Sequence, residues 1–101
     1  MAKGYWIGRV DVMNEDGFKP YAEANAPIFE KFGARYVVRG GKFDAMEGSA
    51  RTRNVVIEFR DYATAMACYR SPEYQENIKR RLPHSTIDLI VIEGYDGPQP
   101  S

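Results

Sequence analysis

The side chain at position 25 is the first in the sequence whose type and setting suggest chemistry. Asn25 lies in a stripe of aromatic and small residues spaced by three and four positions, as on one face of a helix: Phe18, Ala22, Asn25, Phe29 and Phe32. A carboxamide in such a stripe must find a hydrogen-bond partner, either a ligand or a neighbouring backbone group. We therefore predict Asn25 to bind a ligand, with a satisfied core amide as the alternative.

Three charged residues fall on segments that we predict to be neighbouring strands. Arg9 belongs to the first strand, Arg39 to the second and Glu58 to the third. On a sheet face that another molecule covers, these charges would have to pair, and arginine matches a carboxylate geometrically. The sequence thus predicts a buried charge cluster of Arg9, Arg39 and Glu58. It would either fix the register of a dimer as a structural ion pair or bind an anion.

Tyr69 and His84 complete the predicted ligand-binding set. Tyr69 and Tyr74 flank a predicted helix break and can offer hydroxyl groups to a cleft, although aromatic residues at helical spacing more often belong to the core. His84 is the only histidine, and an exposed loop position is the alternative to a role as general base. Cys68, the only cysteine, lies in an apolar helical run and is interpreted as a core residue rather than a nucleophile.

Composition restricts the partners and cofactors that we expect. Fourteen basic side chains balance fourteen acidic ones, so the net charge provides no field that would attract nucleic acid or an anionic membrane. A single cysteine allows no internal disulfide, and no apolar run approaches the length of a membrane span, so the expected compartment is the cytoplasm. The sequence has no paired Cys/His spacing and no phosphate-binding glycine loop, so we expect no metal and no cofactor.

Hydrophobic periodicity and turn signals predict the element order β-α-β-β-α-β in a single domain over residues 1–101. The predicted strands cover residues 5–12, 35–39, 55–59 and 86–95, and residues 95–101 are predicted to form a flexible tail. The first helix should end at Gly33 and kink at Pro27. The second helix should come in two pieces, capped by Asp61 and Ser71, and its last turn, residues 79–81, is interpreted as solvated.

The segment after the second strand carries a further prediction. Gly40 and Gly41 interrupt the strand pattern, and residues 42–47 then resume it. Because glycine tolerates the unusual dihedral angles of a bulge, we predict a β-bulge at the glycine pair, followed by more strand.

The predicted order folds into a ferredoxin-like α+β domain, with an antiparallel sheet of order 4-1-3-2 and both helices on one face. The third and fourth strands are nevertheless apolar on both sides, for example Val55-Val56-Ile57 and Leu89-Ile90-Val91-Ile92. Such strands need cover on the second face as well. The simplest cover is the same face of a second copy, so we predict a homodimer through the sheet face.

Several segments, taken in order, resemble the domain-of-unknown-function family numbered 1330. They are Gly4-Tyr5-Trp6-Ile7, Arg9-Val10-Asp11-Val12, Ala24-Asn25-Ala26, Gly33 with Val37-Val38-Arg39-Gly40-Gly41, Val56-Ile57-Glu58-Phe59, Ala67-Cys68-Tyr69 with Ser71-Pro72-Glu73-Tyr74-Gln75, and Val91-Ile92-Glu93-Gly94-Tyr95. The resemblance implies a homodimeric α+β barrel and no particular activity. The wider superfamily includes cofactor-free monooxygenases, lactone isomerases and haem enzymes, with sites between the helices and the sheet, a likeness of fold only.

These observations leave two kinds of function open. One is a small-molecule-binding homodimer with a cleft between helices and sheet, extending to a cofactor-free enzyme of monooxygenase or isomerase type on small organic substrates. The other is a non-catalytic ligand sensor or a structural interaction module. A usable acid or base facing the cleft would favour the enzyme, and a wholly apolar cleft would favour binding alone.

Overall fold

The computed structural model describes residues 1–100 and contains a four-stranded antiparallel sheet with three helices on one face. The sheet order β2-β3-β1-β4 is the predicted order, so the ferredoxin-like α+β fold is confirmed. The predicted tail reaches Ser101, which lies outside the described residues. The elements are β1 (Gly4–Val12), α1 (Glu15–Lys31), β2 (Arg35–Arg39), β3 (Arg53–Phe59), α2 (Tyr62–Arg70), α3 (Pro72–Arg81) and β4 (Ser85–Glu93).

The strands alternate between the helix-covered face and the opposite face of the sheet. In β1, Trp6 and Val10 are buried beneath the helices, whereas Ile7 points to the other side. In β3, Ile57 and Phe59 are the buried counterparts. This period of two is the one that the pleat of a strand imposes, and it places the core between the sheet and the helices.

The first helix begins and ends at local sequence signals. The side chain of Asn14 accepts a hydrogen bond from the Gly17 N–H and so caps the first turn. Gly33, with φ of 67°, provides the left-handed residue that follows the helix. Pro27 lies inside α1 without ending it, and the kink expected there stays a prediction.

The second helical segment is divided as predicted. Asp61 caps α2 by accepting from the Thr64 N–H, and Ser71 caps α3 by accepting from the Tyr74 N–H. Pro72 occupies the first position of α3, where a missing N–H costs no helical hydrogen bond. Ser71 is extended rather than helical, which separates the two helices: α2 packs on β1, β3 and β4, and α3 packs mainly against α1.

The strand predicted for residues 42–47 is wrong. The chain leaves the sheet at Gly40, with φ of 64°, and residues 40–52 contain no strand. A bulge does exist, but between Tyr36 and Val38 rather than at the glycine pair. Gly40 still donates to the Asn54 carbonyl of β3 at 3.0 Å, and the exposed residues that follow it do not continue the strand.

None of the helices within residues 1–100 is both long enough and apolar enough to cross a membrane.

Candidate functional site

A cavity of about 440 Å³ lies between α1, the start of α3 and the helix-covered face of the sheet. Its volume is in the range of small-molecule sites. The walls are mostly aromatic and aliphatic, and the polar side chains among them come from α1, α3, β2 and β3. The lining residues are Trp6, Gly8, Val10, Phe18, Tyr21, Ala22, Asn25, Phe29, Tyr36, Arg39, Gly40, Arg53, Val55, Ile57, Tyr74, Ile87 and Leu89.

The buried amide of Asn25 is held by a second amide. The Nδ2 of Asn77 donates to Asn25 Oδ1 at 2.9 Å and to the Tyr21 backbone carbonyl at 3.2 Å. Because a carbonyl can only accept, these bonds fix the orientation of Asn77 and hence that of Asn25. Asn25 Oδ1 therefore has a protein partner, whereas its Nδ2 donates to no other group within residues 1–100. That N–H group is available to a molecule in the cavity.

Two tyrosine hydroxyls meet at the same buried end of the cavity. The hydroxyls of Tyr21 and Tyr74 lie 2.7 Å apart, and either can be the donor. Burial raises the pKa of Tyr74 well above its usual range, and the neighbouring Tyr21 raises it further, while the charge of Arg81 acts in the opposite direction. Tyr74 is therefore protonated at neutral pH. Since one hydroxyl hydrogen joins the two oxygens, the other can be donated to a ligand.

Two arginines lie at the exposed side of the cavity. The Arg39 guanidinium stacks on the Tyr36 ring at 4.3 Å from its centroid. Arg53 forms an ion pair with Glu15 and lies near the Phe18 ring. Burial raises the pKa of Tyr36, opposed in part by the nearby Arg39 charge, so this phenol also stays neutral near pH 7. The ionisable side chains that line the cavity are thus positive arginines and neutral phenols.

The single tryptophan anchors the aromatic wall. Trp6 is buried, and its Nε1 donates to the Ala65 carbonyl at 2.9 Å. Its ring contacts those of Phe29 at 5.4 Å and Tyr74 at 4.8 Å between centroids, both edge to face. Edge-to-face packing is a favoured arrangement of aromatic rings, so these contacts stabilise the wall. Because its N–H is occupied, Trp6 offers the cavity only an apolar surface.

The structure separates the three predicted ligand-binding residues. Asn25 lines the cavity. Tyr69 lies behind its wall, with its ring 5.9 Å from that of Trp6, and Gln75 donates to its carbonyl. His84 lies where β4 begins, beside Gly17, outside the residues that line the cavity. The structure therefore does not bring Tyr69 and His84 together with Asn25.

The predicted charge cluster is not formed either. Glu58 accepts from Arg35 Nε at 3.0 Å and from the Tyr5 hydroxyl at 3.2 Å. Arg9 donates to the Ser49 carbonyl. Arg39 lies on the opposite face of the sheet, because the bulge between Tyr36 and Val38 reverses the side to which β2 points. Arg9 and Glu58 share the outer face, but each has its own partner.

Sequence reasoning missed Tyr21, Asn77 and Arg81. A usable signal existed, since Tyr21 precedes Asn25 by one helical turn, and Tyr74, Asn77 and Arg81 are spaced as one helix face. All three missed residues are buried, so the interpretation of Arg81 as solvated is wrong. No group of three His, Cys, Asp or Glu side chains within residues 1–100 is placed to hold a metal ion.

Comparisons with known proteins agree with this fold. A protein of unknown function from Rhodopseudomonas palustris aligns with a TM-score of 0.71 at 18% identity, covering 95% of this chain and 85% of that one. A cofactor-independent oxygenase, SnoaB, from Streptomyces nogalater aligns at 0.63 and 12% identity, covering 99% and 97%. A dimeric ferredoxin-like protein of unknown function from Jannaschia sp. CCS1 aligns at 0.60 and 17% identity, covering 89% and 97%.

No curated protein sequence matches the chain significantly. The family described as "Domain of unknown function (DUF1330)" matches residues 3–95, which is nearly the whole chain. The protein therefore belongs to the DUF1330 family.

Proposed function

We propose that the protein is a homodimer that binds a small organic molecule in the cavity of each subunit. The observation that carries this proposal is the Asn25 amide, which Asn77 holds so that its free N–H group is available to the cavity. An amide held in one orientation amid aromatic walls is the arrangement by which apolar sites orient a ligand. A purely structural amide would have both ends occupied by protein groups.

The dimer is proposed to form through the uncovered face of the sheet. Val38, Val56, Ile7 and Ile90 are cross-strand partners and form one apolar row across all four strands. In a single subunit, Ile90 is 53% exposed and Val38 is 40% exposed. Two similar structures, from Jannaschia sp. CCS1 and Thermobifida fusca, are described as dimeric ferredoxin-like proteins. A second copy would cover the row with an identical one.

A cofactor-free reaction in the same cavity is the second candidate function. The observation that favours it is the likeness of fold to a cofactor-independent oxygenase, together with the hydroxyls of Tyr21 and Tyr74 at the cavity. Molecules that bind can be incubated aerobically with the protein while oxygen uptake and ligand mass are recorded. Turnover that Asn25→Leu abolishes would favour the enzyme, whereas unchanged ligand would favour a binding protein.

A cytoplasmic location also stays a prediction.

The test of small-molecule binding is a thermal-shift screen of small organic molecules with matched asparagine variants. Asn25→Leu fits an apolar wall but removes the free N–H, so it should abolish the ligand-induced rise in Tm. It should also lower the free energy of unfolding by about 1–2 kcal/mol, because Asn77 loses one of its acceptors.

Asn14→Leu is the matched control. It removes the cap of α1, which costs about 1 kcal/mol, without touching the cavity. This variant should therefore melt earlier but keep the full ligand-induced shift. A full shift in Asn25→Leu would overturn the assignment of the site and leave the cavity a packing feature of the core.

A further inference from the structure

Arg81 is the least expected side chain in the structure. It belongs to the last turn of α3, yet it is only 6% exposed. Within the described part of the chain it has no salt-bridge partner, and its Nε is fully buried without a hydrogen-bond acceptor. Burying a guanidinium without a counter-charge is costly, and buried polar groups are nearly always paired.

The position of Arg81 in a helix C-terminus does not account for its burial. Lys79 and Arg80 lie in the same turn and already oppose the helix dipole. Lys79 pairs with Glu76 at 3.0 Å, and Arg80 donates to Asn77 Oδ1 at 3.1 Å. Arg81 alone turns inward.

The Arg81 guanidinium lies beside the ring of Tyr21, one of the two tyrosines whose hydroxyls meet at the cavity. Its central carbon is 5.5 Å from the centroid of the Tyr21 ring. Its charge also stabilises negative charge at the Tyr74 hydroxyl, as the direction of its effect on the pKa of Tyr74 indicates. Tyr21 and Tyr74 line the cavity and Arg81 does not, so the buried cation is separated from the cavity by the tyrosine pair. A cation behind a hydroxyl pair favours the arrangement in which the free O–H points away from the cation, toward an acceptor.

The other polar side chains of the cavity also present hydrogen-bond donors or positive charge. Asn25 Oδ1 already accepts from Asn77, so the end of this amide without a protein partner is its Nδ2 donor. Arg39 and Arg53 add two guanidinium groups at the exposed side, against the single carboxylate of Glu15. The surroundings of the cavity are thus positive and rich in donors, although the whole chain is neutral.

From this arrangement we propose that the cavity selects organic anions that have a flat apolar body. Their negative charge is on oxygen, as in a carboxylate, an enolate or a phenolate. The anionic oxygen accepts hydrogen bonds from Asn25 Nδ2 and from the tyrosine pair, and the aromatic wall around Trp6 holds the apolar body. Arg81 acts as a positioning residue, because it stabilises the anion through the tyrosine hydroxyls without lining the cavity. This inference rests on the proposed binding function and specifies the class of ligand.

The test uses two probes of nearly equal shape, 1-naphthylacetate and 1-naphthylacetamide, titrated by isothermal calorimetry. The carboxylate should bind the wild type at least about tenfold more tightly than the amide, because charge-assisted hydrogen bonds are roughly twice as strong as neutral ones. Arg81→Gln should reduce this preference to about twofold while leaving the amide affinity unchanged, because it removes only the electrostatic contribution. Arg81→Lys should restore most of the preference.

Two further variants keep the result interpretable. Lys79→Gln removes one positive charge from the exposed side of the same helix turn and should leave the preference unchanged. If Arg81→Gln fails to fold, the double variant Tyr21→Phe with Tyr74→Phe removes the hydroxyl pair directly and should reduce the preference in the same way.

The outcomes separate the two proposals. Equal affinity for both probes, or binding of only neutral molecules from the screen, would overturn anion selectivity while leaving the cavity as a binding site. A preference that persists in Arg81→Gln and in the double tyrosine variant would overturn the role of Arg81. Failure of the probes and of every screened molecule to bind would overturn the binding function itself.

Discussion

Shortening Ile90 tests the proposed dimer quantitatively. Ile90 lies on the outer face of β4, opposite Ile7 on β1, and is 53% exposed in one subunit. Ile90→Ala removes three carbons, each worth about 0.8 kcal/mol when fully buried, so burial of the exposed half contributes about 1.2 kcal/mol per subunit. In a two-fold interface the same patch occurs twice, so the variant should weaken the dimer by about 2.4 kcal/mol, roughly sixtyfold in Kd.

The assay is analytical ultracentrifugation over a dilution series. The wild type should sediment as a dimer at micromolar concentration, and the dissociation curve of Ile90→Ala should shift by the predicted factor. Ile90→Asp, or Val56→Asp, should go further and leave monomer or unfolded chain, because each would bury an unpaired charge twice. The matched control is Leu82→Ala, which shortens a residue of equal size, 61% exposed, where α3 ends. A wild-type mass near one chain, or an equal effect of Leu82→Ala, would refute the assignment.

Three further predictions concern the fold. Gly4→Ala should lower the free energy of unfolding by about 1–3 kcal/mol, because its Cβ would clash with the Asp61 backbone carbonyl before α2. Gly41→Ala is the control: the space around Gly41 is open, so this variant should melt normally. The hydrogen bond from Arg35 lowers the folded-state pKa of Glu58 below its ordinary 4.5. The stability that this bond provides is therefore present above pH 4.5 and is lost as the pH falls through the lowered pKa. Glu58→Gln should accordingly flatten the decrease of stability at acid pH. Burial raises the pKa of the Cys68 thiol to about 12, so it should resist iodoacetamide in the native protein and react only on unfolding; rapid native labelling would contradict this.

Local signals in the sequence were sufficient for the fold. Asp61 and Ser71 cap the two helices that follow them by accepting hydrogen bonds from N–H groups three residues later, and Pro72 lies at the helix position that favours proline. Each of these signals depends on a few neighbouring residues, so none required knowledge of the folded chain.

The errors about the site come from one irregularity and from packing. The bulge between Tyr36 and Val38 turns Arg39 toward the cavity, and a one-residue shift of this kind reverses every later side chain of a strand. No turn residue marks that position, and the glycine pair lies after Arg39. The inward orientation of the Arg81 side chain, by contrast, depends on how α1 packs against α3. The spacing of residues within one helix does not determine that packing.

The most direct test of the central claim is a high-resolution crystal structure of the dimer with the molecule that raises its Tm most in the screen. The proposal predicts density for that molecule inside the cavity, with an acceptor atom within hydrogen-bond distance of Asn25 Nδ2 and its apolar part against the ring of Trp6. Density for the molecule only elsewhere, at the dimer interface or on the outer surface, with protein side chains filling the space beside Asn25, would contradict it.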